Sequence, residues 1–328
     1  MKPLSLSVRV EHWPIAGSFT ISRGAKNEAI VVVAELSDGL HRGRGECVPY
    51  ARYGESVEAV AAAVEAMREE LARGLDRDKL QHEMPPGAAR NALDCALWDF
   101  EAKRAGRAAH ELAHLPPPGP LVTAYTISLG TAEDMAEAAA KAAGRPLLKV
   151  KLGGDGDPAR IGAVRRAAPQ PELIVDANEA WQASNLAANL AACADAGVTL
   201  IEQPLPAGHD CALAELSRRI PICADESAHD RASLSALKGK YDAINIKLDK
   251  TGGLTEALKL AAEAERLGFG LMVGCMVSTS LAIAPALLVA QRARVVDLDG
   301  PLLLAQDRPE GLRYDDSLVH PPAPKLWG

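Results

Sequence analysis

The sequence has no stretch of about 20 apolar residues, the length a membrane span needs. Its longest apolar run, LAIAPALLVA at 281–290, is too short and carries Pro285. The N-terminal segment MKPLSLSVRVEHWPIAG alternates and breaks at Pro14, so it lacks the continuous apolar core of a signal peptide. The six cysteines (Cys47, Cys95, Cys193, Cys211, Cys223 and Cys275) form no C-x-x-C pair, which argues against a disulfide framework and a thiolate zinc site. There is no basic block, and the net charge is −7, so nucleic acid and anionic membrane are poor partners. The expectation is a cytoplasmic protein with a small-molecule substrate; a homo-oligomer is compatible with it.

What is present is a 328-residue chain, 48% hydrophobic and 24% charged, long enough for a barrel of roughly 200 to 250 residues plus a smaller domain. From residue 121 onward, short apolar strands alternate with helix-length, alanine-rich segments, the βα signature of a parallel sheet. Eight strands are expected, at 121–129, 145–152, 172–178, 197–203, 220–227, 241–248, 269–276 and 293–300. TAEDMAEAAAKAAG and TEALKLAAEAERLG begin with Thr and end in Gly as capped helices do. No G-x-G-x-x-G turn follows a strand, which favours an α/β barrel over an open dinucleotide-binding sheet. Residues 1–118 read as a separate α+β domain with strands at 4–10 and 28–36 and two helices. LPPPGP at 115–120 links it to a barrel at 119–303, and the proline-rich segment 304–328 is expected to return to the first domain.

LLKVKLGG at 147–154 places Lys149 and Lys151 on one face of a buried strand, where unpaired charge is costly. Further polar residues close the later strands: Asp176 in IVDAN, Glu202 in LIEQP, Asp225 in CADES, Lys247 in INIKL and Asp297 in VVDLD. From Lys151 to Lys247 the successive intervals are 25, 26, 23 and 22 residues, one βα unit each, so the groups form an ordered arc at the catalytic face of a barrel. Each acid alone could merely cap the next helix. Three converging carboxylates repel one another unless a cation joins them, and an all-oxygen set suits Mg²⁺, with Mn²⁺ as a substitute. Lys151 and Lys247 then flank the metal from opposite sides. That arrangement suits removal of a proton α to a carboxylate: Lys149 and the cation stabilise the enediolate, and a lysine whose pKa neighbouring cations lower takes the proton. A base on each face gives inversion.

LKVKLGG, IVDANEAW, IEQPLP, ADES, INIKLDKTGG, GCMVSTS and DLDGPLL together resemble the enolase superfamily, muconate-lactonising branch, and within it the dipeptide epimerases. The resemblance implies a (β/α)7β TIM-like barrel with an α+β capping domain. It implies that Lys151 and Lys247 are the acid/base pair, that Lys149 polarises the substrate carboxylate, and that Asp176, Glu202 and Asp225 ligate Mg²⁺ with Asn178 supporting them. It also implies that Asp297 and Asp299 hold a dipeptide's free ammonium and that Thr126 touches substrate. Two N-terminal loops, 17–27 and 50–56, would cover the site, with Arg23 or Lys26 pairing with a distal carboxylate. The usual D-A-N-Q-G-W reads DANEAW here, so Glu179 adds a negative charge beside the metal strand.

Other functions compete. An N-acylamino acid racemase, one acting on N-acetylglutamate included, or an o-succinylbenzoate synthase would use the same lysines and metal; only the D-x-D separates them. A binding protein without chemistry would not need the second lysine. HELAH, His110 to His114, matches the H-E-x-x-H zinc metalloprotease signature, but LPPPGP ends its helix at once.

Overall fold

The computed structural model describes residues 3–328. A long antiparallel hairpin, β1 (Ser5–Ile21) and β2 (Gly24–Ser37), pairs with β3 (Arg42–Cys47). The helices α1 (Val57–Ala66), α2 (Arg68–Ala72), α3 (Arg77–Glu83) and α4 (Ala88–Ala105) cover this sheet. Helix α4 lies almost on the backbone of β3. A Cβ at Gly43 or Gly45 would sit 2.3 Å from Ala96 O or 2.1 Å from Ala92 O, so glycine permits the contact. The segment 17–27, expected as a loop, is mostly strand: Phe19 pairs with Lys26, Thr20 with Ala25 and Ile21 with Gly24.

After the short α5 (Ala109–Leu112) come β4 (Leu121–Val122) and then the barrel: β5 (Tyr125–Ile127), α6 (Ala132–Lys141), β6 (Leu147–Lys151), α7 (Asp157–Ala167), β7 (Glu172–Asp176), α8 (Ala183–Asp195), β8 (Val198–Glu202), β9 (Ile222–Ala224), α9 (Leu234–Leu237), β10 (Ala243–Ile246), α10 (Leu248–Thr251), α11 (Leu254–Arg266), β11 (Gly270–Gly274), α12 (Ser280–Ala290) and β12 (Val295–Asp297). The eight strands β5 to β12 lie in sequence order and run parallel, and Ala124 N donating to Val296 O at 2.8 Å brings the first against the last. The barrel fold read from the sequence is therefore the observed one. The crossover after β8 is a 3-10 turn at Cys211–Glu215 rather than an α-helix.

Two expectations shift in detail. The strand read at 121–129 is two: β4 leaves the barrel to pair with β14 (Leu318–Val319), itself paired with β13 (Tyr314–Asp315). Thr131 does cap α6, accepting from Asp134 N at 3.1 Å, but Thr255 does not cap α11. There Asp94, reaching from α4, accepts Thr255 N at 2.9 Å, so a carboxylate of the first domain serves one orphan donor of a barrel helix. Trp98 Nε1 donates to Thr255 Oγ1 in the same contact. The chain's last residues lie against β3 and α4: Arg44 donates to Lys325 O and Leu326 O, and Trp327 Nε1 to Cys95 O.

Candidate active site

The inward positions of the barrel change character over one step of two residues. Ala124, Leu147, Ile174, Leu200, Cys223, Ala243, Met272 and Val295 form one apolar layer. Two residues further along their strands come Thr126, Lys149, Asp176, Glu202, Asp225, Asn245 and Asp297, all buried. Lys151, Lys247 and Asp299 continue that face by another step. The polar layer opens into a cavity of about 730 Å³, roofed by the β1–β2 hairpin tip and by residues 50–53.

Within it the charges interlock. Lys149 Nζ lies 2.6 Å from Asp297 Oδ2, 2.6 Å from Glu202 Oε2 and 3.3 Å from Asp176 Oδ2. Lys151 Nζ donates to Asp176 Oδ2 at 2.6 Å, and Lys247 Nζ to Asp225 Oδ2 at 2.8 Å. Asn178 N donates to Asp176 Oδ1 at 2.8 Å, which turns that carboxylate inward. Asp299 Oδ2 accepts Thr126 N at 2.7 Å, whereas the buried Asp297 Oδ1 has no hydrogen-bond partner.

Asp176, Glu202 and Asp225 bring one carboxylate oxygen each within 4.8 Å of one another, all buried, the one such grouping among the described residues that could hold a metal ion. With hard oxygen donors and no thiolate or imidazole, the set suits a hard divalent cation. Burial and Asp176 push Glu202 up to about 7, so the acids resist sharing full charge. Burial would also raise Asp225, but Lys247 and Lys250 outweigh it and hold Asp225 well below the usual range. At Lys247 burial favours the neutral amine, yet Asp225 and Glu202 prevail and hold it well above the ordinary lysine range. Lowering it requires those carboxylates to be neutralised by a cation.

Several participants escaped the sequence reading. Asn245 Nδ2 donates to Glu202 Oε1 at 2.6 Å; counting back two residues from Lys247 would have found it. Lys250, fully buried one short turn after Lys247, bonds Asp225 O and Oδ1, each at 2.6 Å. Glu226 lines the cavity and takes Arg23 Nη2 at 2.7 Å, so Arg23 is engaged by the protein itself; nothing in ADES distinguishes that role. Lys26 stands over the Tyr50 ring, 5.3 Å from its centroid. HELAH does not gather: α5 ends at Leu112, and His114 sits at φ 55°, off the helix that would align it with His110.

Residues 4–113 match the N-terminal domain of the mandelate racemase / muconate lactonizing enzymes, and 131–325 the enolase C-terminal domain-like family. The chain is 48% identical to the L-Ala-D/L-Glu epimerase of Escherichia coli, over 96% of this chain and 99% of that one. It is 44% identical to an N-acetyl-D-glutamate racemase of a Pseudoalteromonas species, over 91% and 95%. An enolase family member from Agrobacterium tumefaciens with homology to dipeptide epimerases, solved with sodium and L-Ala-L-Glu, superposes with a TM-score of 0.98 at 57% identity, covering 99% and 100%. A dipeptide epimerase of Enterococcus faecalis, solved with Mg and L-Leu-L-Tyr, gives 0.90 at 29% identity, covering 98% and 97%. The chain is thus an isomerase of the enolase superfamily, and it belongs to the mandelate racemase/muconate-lactonising branch among the dipeptide epimerases.

Proposed function

We propose that the protein inverts the α-carbon of the C-terminal residue of Ala-Glu type dipeptides by a two-base proton transfer. The observation that carries this is the position of the two amines. Lys151 ends β6 and Lys247 follows β10, four strands apart in an eight-stranded barrel, so they enter from opposite walls above the acid triad. Asp176, Glu202 and Asp225 would hold Mg²⁺, for which Mn²⁺ could substitute. When bound, the cation neutralises the triad and stabilises negative charge on a substrate carboxylate.

One lysine, in its neutral form, takes the α-proton; the C–H electron pair passes into the carboxylate as an enediolate, and the opposite ammonium returns a proton to the other face. Lys149 donates to the carboxylate as its charge grows. Asp297 and Asp299 hold the dipeptide ammonium, Thr126 borders the same corner, and Arg23 meets the distal carboxylate. Racemisation of an N-acylamino acid would use the same lysines, but such a substrate has no ammonium for Asp297 Oδ1, a buried acceptor without a protein donor. The cysteines are all free, in keeping with a reducing cytoplasm.

The test is turnover in D₂O with Mg²⁺, followed by mass and by chirality, using L-Ala-L-Glu, L-Ala-D-Glu and both N-acetylglutamates. Deuterium should enter with inversion in the two dipeptides, and chelation should stop it. Turnover of N-acetylglutamate in preference to either dipeptide would overturn the substrate assignment.

A further inference from the structure

We propose that Glu179 is a positioning residue that holds both capping segments on the barrel and thereby fixes Arg23 toward the distal end of the substrate. The Arg23 part rests on the dipeptide reading above; the anchoring part does not.

The turn after β7 is built to receive the cap. Asn178 and Glu179 stand at φ 43° and 67°, left-handed values uncommon for residues with side chains. Glu179 N donating to Gln203 O at 2.9 Å and Ala207 N donating to Glu179 Oε1 at 2.8 Å lock this conformation. Such retained strain points to a role for the outward groups. Onto Asn178 O come Ser22 Oγ and Arg23 Nη1, both at 2.9 Å, from the hairpin tip. Onto the Glu179 carboxylate come Arg52 Nε and Nη2, at 2.7 Å each, from the second segment, and Arg23 Nη1 at 3.2 Å.

Glu179 is therefore the barrel carboxylate that both segments reach. Its side chain is 9% exposed and that of Arg52 37%, so the carboxylate end of the bidentate pair is shielded while the guanidinium end meets water. Among the described residues Arg52 has no other ion-pair partner. Its neighbour Tyr53 lines the cavity and packs edge-on against His229, so the anchoring of Arg52 decides how one wall of the cavity is held. Arg23 is shared between Glu226 at 2.7 Å, Tyr50 Oη at 3.0 Å and Glu179. A neutral amide at 179 would loosen both arginines without touching the lysines or the acid triad.

Two measurements on Glu179→Gln test this. In the ligand-free protein, amides of 17–27 and 50–56 should exchange with deuterium roughly tenfold faster, with the barrel strands unchanged. In steady state, KM for L-Ala-L-Glu should rise roughly tenfold while kcat stays within about twofold, and KM for L-Ala-L-Leu should rise less. The double charge reversal Arg52→Glu with Glu179→Arg should restore protection of 50–56 but not of 17–27. Unchanged exchange in both segments, or a loss confined to kcat, would overturn the proposal. Should the wild type act on no dipeptide, the substrate reading fails, and the exchange experiment still decides the anchoring.

Discussion

The two layers inside the barrel are built by the same strands with the same period, yet they do opposite things. The lower layer, from Ala124 to Val295, is apolar and plugs the barrel; the upper one buries lysines against carboxylates. Apolar burial needs no partner, whereas each buried charge needs its counterpart in place. Below, then, a side chain is exchangeable for another of similar volume and contributes stability; above, each is defined by what it touches. Two residues along a strand separate structure from chemistry.

The largest expected effect lies above. Lys247→Ala should lower epimerisation by about 10²- to 10⁴-fold, while exchange of the α-proton with D₂O persists from one stereoisomer only. The fold should survive, because Asp225 keeps Lys250 on its other oxygen, and an unfolding curve close to wild type would show it. Epimerisation at near the wild-type rate would remove Lys247 from the chemistry. The counterpart below is Ile174→Ala, two residues before Asp176. It should cost about 2–5 kcal/mol in denaturant unfolding with kcat within a few-fold of wild type. A large fall in kcat at full folding would mean that the two layers are not separable.

The same contrast explains what could be read without coordinates. The barrel was legible because strand and helix periods alternate, and the site because charges interrupt apolar strands at Lys149, Lys151, Asp176 and Glu202, where a buried face has no other use for them. Contacts that depend on distant chain were not legible. Nothing near residue 121 says that Leu121 and Val122 pair with the tail while Tyr125 turns into the barrel, and nothing in TEALKL says that its N-terminal amide is served by Asp94 of another domain. Lys250 and Glu226 were passed over for a related reason: they lie off the two-residue period, one on a helical turn and one beyond the strand end. The pull of Asp225 and Glu202 on Lys247 was not legible either, because only the fold sets their separation from the amine.

A smaller effect sharpens the upper layer. Burial and Asp297 push Asp299 up to about 7, so the D-x-D carries less than two full charges near neutrality, a state that an incoming ammonium would reverse. Asp297→Asn should therefore weaken L-Ala-L-Glu by roughly tenfold to a hundredfold in KM, yet leave binding of N-acetylglutamate within a few-fold. Competition binding with both ligands reads this directly, and equal losses would favour an N-acyl substrate.

The smallest effect concerns a buried acid outside the lysine layer. Asp249, two residues past Lys247, accepts Val48 N at 3.0 Å and Asn91 Nδ2 at 2.8 Å, with no cation among these partners. Burial pushes it up to about 7, the reverse of Asp225. The folded state thus binds a proton more tightly than the unfolded chain, where an aspartate titrates near 3.9. Stability from this group is complete below about pH 4 and is lost as pH rises through about 7. Asn at 249 keeps an acceptor for both donors and carries no charge. Asp249→Asn should be more stable than wild type at pH 8 by about 1–2 kcal/mol and show no such gain at pH 4, read as the difference between two urea unfolding curves. A gain independent of pH would mean that packing, not the ionised carboxylate, sets the cost at this position, and that a lone buried acid is better tolerated here than the contrast between the layers requires.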